Sequence, residues 1–240
     1  MLLRWSIWLH KWLALIVGLQ IIFWVVGGLF MVAVPIEKVR GEDRVAYVAE
    51  TPLDMSRVLT LEQAIAKVEL TDVSGATLSS PPRGPLWTVR TSSGREQPID
   101  AYTGEYLEDI TEADARRYAT AAYEGPGEMT TLRYFDVPPR RSGAGDPAWA
   151  ATFNDPEKTV VYIDGFTGEV LSRRSALWNA YDLAWQLHIL NFKDGDNYNH
   201  PTLIAVTVLA TIVTFSGVVL LWIRIGRDLQ AWAARRKEYK

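Results

Sequence analysis

Trp12-Leu-Ala-Leu-Ile-Val-Gly-Leu-Gln-Ile-Ile-Phe-Trp-Val-Val-Gly-Gly-Leu-Phe-Met-Val-Ala-Val34 is a run of 23 residues without a charged side chain, and Gln20 is its most polar member. A helix rising about 1.5 Å per residue needs about 20 apolar residues to cross roughly 30 Å of hydrocarbon. Leu203 to Ile223 is a second uncharged run, of 21 residues. Backbone in lipid must satisfy its own hydrogen bonds, so both runs are predicted to be helices. A cleaved signal peptide has a shorter apolar core and a small-residue site after it. The first run offers only Ala33 there and is read as an uncleaved anchor.

The flanks set the expected orientation. Arg4 and Lys11 precede the first run, and Arg224, Arg227, Arg235, Arg236, Lys237 and Lys240 follow the second. Only Asp228 and Glu238 oppose these eight, so the stretch between the runs carries a net −9 of the chain's −3. The positive-inside rule then puts both termini in the cytoplasm of a bacterial-type inner membrane and residues 36–199 in the periplasm. Trp5, Trp8, Trp12, Trp222 and Trp232 fit an aromatic belt at the cytoplasmic face. Cysteine is absent, which excludes disulfides, thiolate metal sites, a lipoprotein anchor and c-type haem attachment. A net-acidic outer region gives no case for nucleic acid.

Between the runs the pattern is mixed. Pro35 ends the first helix, and residues 36–58 read as a linker with some strand at Val45 to Val48. Thr60 to Glu69 is a short amphipathic helix, with Leu61, Ile65 and Val68 on one face and Thr60 as N-cap. Trp87 to Thr91 reads as a strand turned at Ser93-Gly94. A second helix spans Thr111 to Tyr123, followed by strands at Trp149 to Phe153 and Val160 to Asp164. The turn between those strands falls at Asn154-Asp155-Pro156.

These segments repeat. Ile99-Asp-Ala-Tyr-Thr-Gly-Glu-Tyr-Leu107 matches Ile163-Asp-Gly-Phe-Thr-Gly-Glu-Val-Leu171 at an offset of 64, and Pro85-Leu-Trp87 matches Pro147-Ala-Trp149 at 62. The chain therefore holds two copies of one helix-plus-hairpin unit, packed together because each alone has a thin core. Residues 176–190 form an amphipathic interfacial helix with Trp178 and Trp185 suited to a membrane surface. Asn191 to Asn199 is a polar loop, and Pro201 stands at the head of the second span.

The D-x-x-T-G-E turn after a helix and a Trp-bearing strand resembles the PepSY domain, at Asp100–Glu105 and again at Asp164–Glu169. Leu9-His10-Lys11-Trp12 before an apolar run with Gly18, Gly27 and Gly28 resembles the PepSY-associated transmembrane family. So do Leu187-His188-Ile189 and Ser216-Gly217 around the second span. The resemblance covers nearly the whole chain. It implies a small helix-plus-antiparallel-sheet module outside the cytoplasm. Some relatives are four-span ferric-siderophore reductases that hold b-type haem between histidines, and others are propeptides that bind or inhibit a peptidase. Two spans depart from the reductase pattern and put an autonomous two-haem electron path in doubt.

The histidines are three, His10, His188 and His200, all beside the apolar runs. Ionisable groups at that depth are functional candidates, and imidazole is a common axial haem ligand. Two axial nitrogens lie about 4 Å apart across one iron, given ~2 Å metal–nitrogen bonds. His10 and His200 stand at opposite ends of ~30 Å of bilayer, so His10 pairs only with a second copy or a partner subunit. His188 and His200 can meet if the 176–190 helix folds back. The alternative reading of each is an interfacial histidine bonding water, headgroup or backbone. Asp100, Thr103, Gly104, Asp164, Thr167 and Gly168 are read as turn chemistry. Gly18, Val25 and Gly28 line one side of the first span and Thr207, Ala210, Thr214 and Gly217 one side of the second, where small residues allow close packing. Asp194 and Asp196 are read as solvated.

The expectation is a membrane α plus α+β protein: two transmembrane helices flanking an extracytoplasmic tandem of helix-plus-antiparallel-hairpin units. Its segments are 1–35, 36–110, 111–175, 176–199 and 200–240. The expected role is a non-catalytic accessory of a membrane, iron-linked redox system, in contact with lipid and with a partner subunit or second copy. The competing readings are a b-type haem electron carrier and a peptidase-regulating or peptide-binding module.

Overall fold

The computed structural model describes residues 2–42, 52–145, 147–192 and 197–238. The expected strand at Val45–Val48, Asp194 and Asp196 lie outside the described residues, as does the side chain of His10. The chain divides into two compact units, Met1–Pro35 with Ala180–Lys240, and Ile36–Asn179.

In the first unit, α1 spans Leu2–Ala33 and α6 spans Pro201–Glu238. No helix breaker interrupts the first run. The Val34 N–H donates to the Phe30 carbonyl at 3.1 Å in the last turn, and Pro35 follows. Pro201 opens α6, where a missing N–H costs nothing. Within these helices Ala14–Ala33 and Pro201–Trp232 are long and apolar enough to cross a membrane. Their apolar side chains are largely uncovered: Val32 is 86% exposed, Phe215 69% and Trp222 81%. A soluble core helix would bury such a surface; these two require apolar surroundings.

α5 spans Ala176–Ile189, and the Ser175 hydroxyl accepts the Trp178 N–H at 3.1 Å at its start. Its later turns do not stand apart from the spans as an interfacial helix would. Tyr181 lies against Phe30, with ring centroids 6.2 Å apart, and His188 against Trp24 at 6.4 Å, so α5 runs antiparallel along α1. The approach is close at Gly27, where a Cβ would stand 3.6 Å from the Ala184 carbonyl. Of the small-residue stripes read from the sequence, Ala210 is buried but the glycines are not in contact. Gly18, Gly28 and Gly217 each face open space. Val17, Gln20 and Ala210 are the buried positions.

In the second unit, α2 spans Ile36–Arg40 and α3 Leu61–Lys67. The Thr60 hydroxyl accepts the Gln63 N–H and the Gln63 side chain accepts the Thr60 N–H, a complete capping box. α3 covers a sheet of β1 (Gly75–Ser79), β2 (Leu86–Arg90) and β3 (Glu96–Asp100), and its fully buried residue is Ala64. Next, α4 (Glu112–Ala122), capped by Thr111, buries Ala115, Ala119 and Ala122. It packs on a sheet of β4 (Met129–Phe135), β5 (Ala148–Phe153), β6 (Val160–Asp164) and β7 (Val170–Arg174). Both sheets are antiparallel and follow chain order. They are larger than the hairpins expected, because β1, β4 and β7 add flanking strands.

The matching segments show equivalent register. Trp87 pairs with Ile99 in the first sheet and Trp149 with Ile163 in the second. The two-residue difference in offset falls in the β5–β6 connection, beyond those pairs.

Gly104 and Gly168 hold φ of +74° and +75° in equivalent turns, a region that penalises any Cβ. A Cβ on Gly168 would stand 2.5 Å from the Tyr118 ring, and one on Gly104 2.6 Å from the mobile Lys67 Cδ. Gly168→Ala is therefore expected to destabilise by about 2–3 kcal/mol and Gly104→Ala by about 1–2. Denaturant unfolding of the full chain in detergent measures both, and a reversed order would contradict this packing.

Candidate functional site

The polar groups of the membrane-helix unit gather at the C-terminal end of α5. Gln20 Nε2 donates to the Leu187 carbonyl at 2.9 Å, and Trp24 Nε1 to the His188 carbonyl at 2.6 Å. His200 Nε2 lies 2.8 Å from the Ile189 carbonyl, while its Nδ1 receives the Leu203 N–H at 3.4 Å. A carbonyl can only accept, so Nε2 carries the proton and Nδ1 is left as the acceptor. One neutral tautomer satisfies both contacts. His188 is different: its Nδ1 is buried with no hydrogen-bond partner among the described residues. Its ring lies parallel to that of Trp185, 6.3 Å away.

A haem held between His188 and His200 requires a free nitrogen on each ring. His188 has one; His200 has both nitrogens engaged with backbone. The pair therefore does not fit a two-histidine haem within one protomer. No group of three or more His, Asp or Glu side chains among the described residues could hold a metal ion.

The two D-x-x-T-G-E turns are alike bond for bond. Asp100 Oδ1 accepts the Tyr102 and Thr103 N–H groups, both at 2.7 Å. Asp164 Oδ1 accepts those of Phe166 and Thr167 at 2.9 and 2.7 Å. The Thr103 and Thr167 hydroxyls accept from Glu105 and Glu169 at 3.3 and 3.2 Å. One carboxylate oxygen of each aspartate is held by its own backbone N–H groups, which is turn chemistry.

Sequence reasoning missed a cleft between the two sheets. It is an open cavity of about 970 Å³ with Glu96, Asp109, Asp136 and Asp164 outnumbering Arg95 on its walls. Tyr106, Tyr134 and Phe166 supply aromatic surface. The residues come from distant parts of the sequence, and no local motif marks them. Arg83 fixes one wall: its guanidinium donates to the carbonyls of Glu108 and of Phe166, the latter at 3.1 Å. The Ile110 N–H donates to the Gly165 carbonyl at 2.7 Å.

A family model described as the PepSY-associated TM region matches residues 7–240. The chain belongs to the PepSY-associated transmembrane family. No curated protein and no solved structure matches it. Family and helices agree: this PepSY-associated protein is a membrane protein with two candidate spans and an α+β region.

In the cleft the Tyr134 hydroxyl donates to Asp109 Oδ2. That bond first, then partial burial and the negative charges of Asp109 and Asp136, push its pKa up to about 12. The folded value lies above the unfolded one near 10, so the contribution to stability is whole below pH 10 and is lost as pH rises toward 12. Ultraviolet titration of the full chain should show a tyrosine ionising near pH 12 that Tyr134→Phe removes. No change in the high-pH end of the titration would refute this assignment.

Proposed function

We propose that this protein is a non-catalytic interaction subunit of a bacterial-type inner-membrane system, linked to iron redox. In this reading tandem PepSY-like units, residues 36–110 and 111–175, face the periplasm, and both basic termini remain in the cytoplasm. One observation carries the non-catalytic part. The Tyr134 hydroxyl in the large cleft is tied to Asp109, which pushes its pKa up to about 12. General acid–base work is most effective with a pKa near the working pH. The cleft thus offers shape, charge and aromatic surface for binding. The iron-linked part rests on the resemblance to siderophore reductases. The orientation rests on the basic residues at the two ends of the chain.

Three measurements test it. An alkaline phosphatase fusion after residue 100 is expected to be active and a fluorescent protein fused at Lys240 to fluoresce; the opposite pattern rejects the topology. Protein purified from haem-replete cells is expected to show no Soret band. A band that disappears in His188→Ala would replace the accessory reading with the haem carrier, favoured by the unpartnered His188 nitrogen. Inhibition of a co-expressed secreted peptidase would instead select the peptidase-regulating reading.

A further inference from the structure

A helix leaves its last four carbonyls without intrahelical partners. At the end of α5 those are the carbonyls of Gln186, Leu187, His188 and Ile189, and each has a donor. The Asn191 N–H reaches Gln186 at 3.2 Å, across a turn in which Leu190 holds φ +54°. Gln20 and Trp24 of α1 reach Leu187 and His188. His200, immediately before α6, reaches Ile189. The four donors come from three places: the turn itself, α1 and the head of α6.

We propose that this junction is a three-helix lock, in which Gln20, Trp24 and His200 bind α1 and α6 to the exposed carbonyl end of α5, so that His200 serves the polypeptide and not a ligand. His200 has two tasks at once. Its Nδ1 caps the start of α6 through the Leu203 N–H, and its Nε2–H closes α5. Neither Ser nor Asn can do both, because a short acceptor at an N-cap lacks a second, opposed donor at the reach of an imidazole ring. Gln20 and Trp24 stand inside an otherwise apolar run, where an unpaired amide or indole N–H is costly. The carbonyls of α5 satisfy them in turn, and Gln20 is buried. The inference concerns the assembly of the membrane unit and stands independently of the accessory role.

The test uses the full chain in detergent, selectively ¹⁵N-labelled at its three histidines. Long-range ¹H–¹⁵N correlations at neutral pH, assigned with His10→Gln and His188→Gln variants, should show His200 as the Nε2–H tautomer. The unfolding midpoint should fall by several degrees in His200→Ala, and less in His200→Asn, which keeps the cap. Combining His200→Ala with Gln20→Leu should lower it by less than the sum of the single shifts, because the two side chains close one helix end. An Nδ1–H tautomer, an unshifted His200→Ala midpoint or strictly additive shifts would each overturn the lock.

Discussion

Backbone carbonyls removed from water must meet donors, and in this protein that demand organises the helical unit. Inside the first apolar run, beyond Trp12 at its head, two side chains are able to donate, Gln20 and Trp24. Both are spent on the end of α5. Because they are four residues apart on α1, they lie on one face, and a helix end placed there receives two bonds one turn apart. Gly27 extends the same face and lets α5 come close at Ala184. The consequence is directional: α5 must run back along α1, which draws the head of α6 to the same point.

The second unit obeys a different rule. Each D-x-x-T-G-E turn closes on itself, with the aspartate holding two backbone N–H groups and the glycine taking positive φ. The turn therefore fixes register without help from its surroundings. The Trp–Ile pairs stay opposite each other because the two-residue difference between the matched segments falls in the β5–β6 connection, outside the paired strands. The surroundings still differ. The Trp87 indole donates to the Leu59 carbonyl at 3.0 Å, whereas the Trp149 indole nitrogen is buried with no partner among the described residues.

Legibility followed the range of the interactions. The apolar helices, both N-caps and the turns were readable because composition or contacts within a few residues determine them. β1, β4 and β7 were missed. Gly75-Ala-Thr-Leu-Ser79 is poor in β-branched and aromatic residues, and Met129 to Phe135 has no clean alternation of burial; a partner strand decides both. α3 and α4 are centred on alanines, Ala64 and Ala119, where the large apolar residues suggested Leu61 and Ile65. At the candidate site the placement of the histidines beside the apolar runs was legible, but not what each ring nitrogen meets. A tautomer depends on what each nitrogen meets, and for His200 that is a carbonyl eleven residues away.

The cleft arises where the two copies differ. In the second half, Tyr162 of β6 pairs with Ser172, and β7 completes a fourth strand. The corresponding position in the first half is Pro98, whose carbonyl faces outward to accept the Leu107 N–H at 3.0 Å. On a strand the N–H and C=O of one residue point the same way, so proline removes the donor that a fourth strand would need on this side. Pairing there shrinks to the isolated bridge between Ile99 and Tyr106. Tyr106 and Leu107 are then free of a regular ladder, and both line the cleft beside Pro98. A single missing N–H thus goes with a ladder in the second sheet and an open recess wall beside Pro98 in the first.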